Sequence, residues 1–167
     1  MSEEFTVAGT SKVRYVGVFD LGEVYKLLYD LLTAENYTVE EEKYKEKITS
    51  AGKQIEINWV AQKKVDDYTM FIIKIGYFIV GLEKVKVKRE GVEVSMNKGD
   101  IEISFKAILK TDYENRWETS PILKFLKGIY DVYIYKSTFE NWKKQIYNEM
   151  YSIQNEIKSH FNLSRFL

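Results

Sequence analysis

Residues 68–80 read YTMFIIKIGYFIV, from Tyr68 to Val80. Phe71, Ile73, Ile75, Tyr77 and Ile79 alternate with Met70, Ile72, Phe78 and Val80, so an extended chain carries apolar side chains on both faces. A strand of this kind is expected where both faces of a sheet are covered. The flanking segments share the two-residue period. Ile55, Ile57 and Trp59 oppose Glu56 and Asn58, while Ile101, Ile103 and Phe105 oppose Glu102, Ser104 and Lys106.

Working outward, six strands are expected between Tyr37 and Thr111, at 38–49, 53–64, 68–80, 83–89, 92–97 and 100–111. Ser50-Ala51-Gly52, Asp66-Asp67, Gly81, Glu90-Gly91 and Asn97-Lys98-Gly99 separate them. Such connections join antiparallel neighbours and are too short for a helical crossover, which predicts a meander. The segment Val39 to Lys47 is charged on both faces, as suits an edge strand protected against further pairing.

A seventh strand is expected ahead of these, at Ser11 to Phe19, followed by a helix over Leu21 to Ala34 with Asp20 as its cap. After the strands, Ser120 and Pro121 form a helix start, cap and first position. The segment from Pro121 to about Tyr135 is apolar around most of its circumference. A last helix, from near Ser137 to Phe161, sets Phe139, Trp142, Ile146, Met150, Ile153, Ile157 and Phe161 at threes and fours and is expected to lie across the sheet. The expectation is one α+β domain over residues 1–167, with 1–10 and 163–167 as tails.

The order strand, helix, meander, long C-terminal helix resembles the helix-grip fold of the START-like superfamily. It departs from that pattern in having one helix after the first strand and an added helix at Pro121 to Tyr135. The resemblance implies a cavity between sheet and last helix for a lipid or other hydrophobic small molecule.

Composition narrows the chemistry. The 167 residues hold no cysteine, one histidine, and 25 basic against 25 acidic side chains. Disulfides and thiolate chemistry are excluded, no net positive field draws the chain to nucleic acid, and a reducing, cytoplasmic setting is the default expectation. No apolar run approaches the roughly 20 residues of a membrane span, and Glu3 and Glu4 stand where a signal peptide would be basic. The lysine and glutamate bias is that of hyperthermophile proteins, such as those of thermophilic archaea, and equally of an AT-rich genome.

No cofactor, metal site or catalytic constellation is legible. His160 falls near the end of the last helix, where the dipole suits it, and no Ser-His-Asp or Cys-His arrangement is expected. Asp66-Asp67 reads as turn chemistry and not as a cation site. Lys84, Lys86 and Lys88 form a basic strand face bordered by Glu83, Glu90 and Glu93.

Two places remain as candidates. The loop Asp112 to Glu118 sets Arg116 among carboxylates beside Trp117, which suits a carboxylate or phosphate ligand or, by the preferred reading, a latch pairing Arg116 with Asp112. Asp112, Arg116 and Trp117, with Trp59 and Tyr77 on the sheet, are the candidate ligand residues. Phe125, Ile129 and Tyr133 of the apolar helix are the candidate partner residues, although covering the second sheet face is that helix's first expected role. The leading functional expectation is a non-enzymatic binding or assembly module for a protein partner or a second copy. The alternatives are a hydrophobic ligand carrier and a cyclase- or hydratase-like enzyme in the same cavity.

Overall fold

Alternating side chains between Tyr37 and Thr111 do build one antiparallel sheet, of five strands and not seven. The computed structural model describes residues 2–166, so Met1 and Leu167, the outermost residues of the two expected tails, lie outside the described residues. The elements run β1 (Glu3–Phe19), α1 (Leu21–Ala34), β2 (Thr38–Thr49), β3 (Gly52–Lys64), β4 (Thr69–Arg89), β5 (Val92–Thr111), α2 (Pro121–Ile129) and α3 (Lys136–Ser164). The sheet order is β1-β5-β4-β3-β2 with every neighbouring pair antiparallel.

Strand number falls because Gly81 and Asn97-Lys98-Gly99 are not turns. Gly81 takes φ +64° at a register shift between Val80 and Glu83, a bulge that bends β4 while its pairing with β5 continues from Thr69↔Thr111 to Arg89↔Val92. One glycine bends a strand but cannot reverse it. The reversal comes at Glu90-Gly91, both at positive φ, as a two-residue hairpin turn requires. Likewise β1 starts at Glu3, which pairs with Thr111, so residues 3–10 are ladder and not tail. At the other end α3 runs to Ser164, so Leu163 is helical.

Asp20 caps α1 by accepting from the Glu23 amide at 3.1 Å. Val24, Leu28 and Leu32 of α1 and Ile146, Met150, Ile153, Ile157 and Phe161 of α3 are buried against one sheet face. That face supplies Ile55, Ile57, Trp59, Phe71, Ile73, Ile75, Tyr77, Ile79, Ile101, Ile103 and Phe105, all in one apolar cluster with the helices. No described helix is long and apolar enough to cross a membrane.

The second face is where expectation and structure part. Val60, Ile72 and Ile108, with Met70, form a small separate cluster there, while Phe78 is 43% exposed. The Pro121 helix does not cover them. None of its residues is buried, because its inner side is held at one end of the sheet by contacts described below.

Candidate functional site

The turn between β3 and β4 anchors one end of the sheet. Asp66 Oδ1 accepts from the Tyr68 amide at 2.8 Å and also from that of Thr69, which is the expected turn chemistry. Its Oδ2 accepts from Trp142 Nε1 at 3.1 Å and its carbonyl from the Tyr113 hydroxyl at 3.1 Å. One aspartate thereby ties the turn, the loop after β5 and α3 together.

From this anchor hangs the segment 112–135. Asp112, at φ +49° and 2% exposed, accepts from the Arg116 amide at 3.0 Å. The expected guanidinium pairing is thus replaced by a backbone one, and the Arg116 guanidinium turns outward to Glu114. Trp117 stacks on Tyr130 with ring centroids 5.6 Å apart and meets the edge of Tyr68 at 6.4 Å. The Tyr68 hydroxyl donates to Asp131 at 2.8 Å, Thr69 and Tyr135 share a hydroxyl hydrogen bond, and Lys127 reaches Glu3 at 3.3 Å. Burial pushes the Tyr135 hydroxyl up to about 12; burial and then the Asp131 hydrogen bond push that of Tyr68 up as well.

Ser120 starts α2 by accepting from the Leu123 amide at 3.2 Å, and a π-helical turn over Tyr130–Ile134 carries the chain into α3. With Leu123, Lys127, Tyr130 and Asp131 turned inward, the opposite side faces water. Ile122 is 71% exposed, Phe125 70%, Ile129 40% and Tyr133 80%, joined by Leu126, Val132 and Ile134. The candidate partner residues Phe125, Ile129 and Tyr133 therefore lie in one outward apolar band. Beside it, an open depression of about 410 Å³ is lined by Asp67, Tyr68, Arg116, Trp117, Leu123 and Tyr130.

The five candidate ligand residues split into two places. Arg116 and Trp117 line that depression, and Asp112 shapes the loop beneath. Trp59 and Tyr77 pack together inside the core, each 2% exposed with rings 5.2 Å apart. Trp59 Nε1 donates to Glu41 at 3.2 Å, the same carboxylate that accepts from Tyr25 at 2.9 Å. Tyr77 lies eight residues along β4 from Thr69, roughly 26 Å at the ~3.3 Å rise of a strand, so the two groups form no joint site.

Tyr68, Tyr130 and Asp131 were not singled out from the sequence. Asp131 carried a usable signal, being the sole acid between Pro121 and Tyr135, a mostly apolar segment whose other charges are Lys124 and Lys127. Among the described residues no group of three or more His, Asp or Glu side chains is placed to hold a metal ion. No protein-family model matches the chain, and no curated protein matches it in sequence.

Proposed function

We propose that this chain is a non-enzymatic assembly module that pairs with a second copy of itself through the outward band of α2 and the π-helical turn. The observation that carries the reading is an amphipathic helix mounted inside out: Ile122, Phe125, Leu126, Ile129 and Tyr133 share one stripe, and that stripe faces water. Lys124, Lys127 and Asp131 fall outside it, so two copies meet about a twofold axis without like charges in the seam.

Size agrees. Seven side chains at 40–80% exposure present on the order of 100 Å² each, near ~700 Å² together, against ~800 Å² per partner in a standard interface. The sheet order and the long helix across one face support the likeness to the helix-grip fold. The interior that a carrier would empty for its ligand is filled here by Trp59, Tyr77, Phe105 and Met150, which favours assembly over carriage.

Sedimentation velocity tests the reading. The wild type is expected to sediment as a dimer at about 0.1 mM, and Phe125→Lys with Tyr133→Lys as a monomer of unchanged circular dichroism, since neither side chain is buried. A wild type that stays monomeric, or a double variant that stays dimeric, would overturn it.

A further inference from the structure

On the sheet face away from α1 and α3, Lys74 of β4 stands directly opposite Lys106 of β5. Side chains so paired start about 5 Å apart, and like charges in that position are destabilising. Neighbouring cations on this face are neutralised: Lys12 by Glu102, Arg14 by Asp100 and Lys43 by Glu56. Among the described residues neither Lys74 nor Lys106 has an acidic partner.

One step along the same pair of strands, Gly76 stands opposite Ser104 and, on its other side, opposite Asn58. A Cβ on Gly76 would come within 2.7 Å of Ser104 Oγ, which donates to the Gly76 carbonyl at 3.3 Å, so the absent side chain leaves a gap beside that hydrogen bond. The result is a groove of about 250 Å³ in which the two lysines, Ser104 and Asn58 are neighbours. Glu42 lines it from β2 and makes no ion pair with either lysine.

We propose that this groove binds a phosphoryl group. Two ammoniums supply charge from one side. In the next row the Ser104 hydroxyl, which donates to the Gly76 carbonyl, and the Asn58 amide, whose Oδ1 faces the gap, each rotate to turn a donor toward the anion, a set that then matches a multi-oxygen ligand. A bound dianion replaces the Lys74–Lys106 repulsion by two attractions. Glu42 lines the same groove and opposes the anion, so a bound phosphoryl group is held by two ammoniums against one carboxylate. The site is separate from the α2 band, so its fate does not depend on the dimer.

Inorganic phosphate titrated into ¹⁵N-labelled protein, with chloride added to hold ionic strength constant, tests the site. Saturable shifts confined to the Gly76, Ser104 and Lys106 amides are expected, weakened at least about tenfold by each of Lys74→Gln and Lys106→Gln. Flotation with vesicles containing phosphatidic acid separates the sources: vesicle binding lost in the double variant assigns the phosphoryl group to a lipid headgroup, and phosphate shifts without flotation assign it to a soluble molecule. Both single variants are expected to melt no lower than wild type, because each relieves the repulsion. Absence of both shifts and flotation, or binding indifferent to the two substitutions, would overturn the proposal.

Discussion

The Tyr37 hydroxyl donates to Glu149 Oε2 at 2.7 Å, and the same carboxylate takes Lys63 Nζ on both oxygens at 2.8 Å. Tyr37 ends the α1 connection, Lys63 belongs to β3 and Glu149 to α3, so one carboxylate pins three elements. Lys63 and Glu149 side chains are each 12% exposed, and the ammonium also lies 4.8 Å from the Tyr37 ring centroid.

Removing that carboxylate leaves a nearly buried ammonium unpaired. Glu149→Ala is therefore expected to cost about 3 kcal/mol in urea unfolding, and Tyr37→Phe about 1.5 kcal/mol. Equal, near-zero effects would show that the cluster is solvated in solution.

Tyr77→Phe is expected to go the other way. Its hydroxyl is buried among Trp59, Tyr25 and the β4 neighbours with no hydrogen-bond partner among the described residues. Deleting a buried, unpaired hydroxyl of unchanged ring shape is neutral or stabilising by about 1 kcal/mol. A loss above that in the same unfolding assay would mean the hydroxyl has a partner.

The buried tyrosines also set an alkaline limit. Burial raises the hydroxyls of Tyr37, Tyr68, Tyr77 and Tyr135 above the ordinary 10.0, Tyr135 to about 12. The unfolded chain sheds these protons near 10 while the fold retains them, so their contribution is complete below about pH 10 and declines above it, by up to ~1.4 kcal/mol per residue per pH unit. Urea midpoints at about pH 9 and about pH 11 check this, with tyrosinate absorbance reporting a late fraction that appears only as the chain unfolds.

Gly52 closes the β2–β3 hairpin at φ +110°, and a Cβ there would lie 2.9 Å from the Gly81 carbonyl carbon. Both atoms of the clash belong to or depend on backbone, so Gly52→Ala is expected to lower stability by roughly 2 kcal/mol or more. Gly9→Ala, with open space around it, serves as the control and is expected to melt within a degree or two of wild type.

Much of this fold was legible because strand alternation and helix spacing are local. The 68–80 segment announced a central strand, Asp20 and Ser120 announced helix starts, and the Phe139 to Phe161 spacing announced the helix that lies on the sheet. Strand count was not legible: whether Gly81 turns or merely bends the chain depends on the partner strand continuing beside it. The candidate ligand set failed for the same reason, since Trp59 and Tyr77 share a face with the core while Arg116 and Trp117 hang from the sheet's end.

The amino-acid order by itself determined the antiparallel ribbons, their core face and the apolar stripe along Pro121 to Tyr135. Only the tertiary structure decided which way that stripe looks. Periodicity defines a helix face but not its bearing, and here the bearing is set by long-range partners: Tyr68 holding Asp131, Trp117 on Tyr130 and Lys127 on Glu3 turn the side carrying Lys127, Tyr130 and Asp131 inward and leave the Ile122, Phe125, Ile129 and Tyr133 side to water.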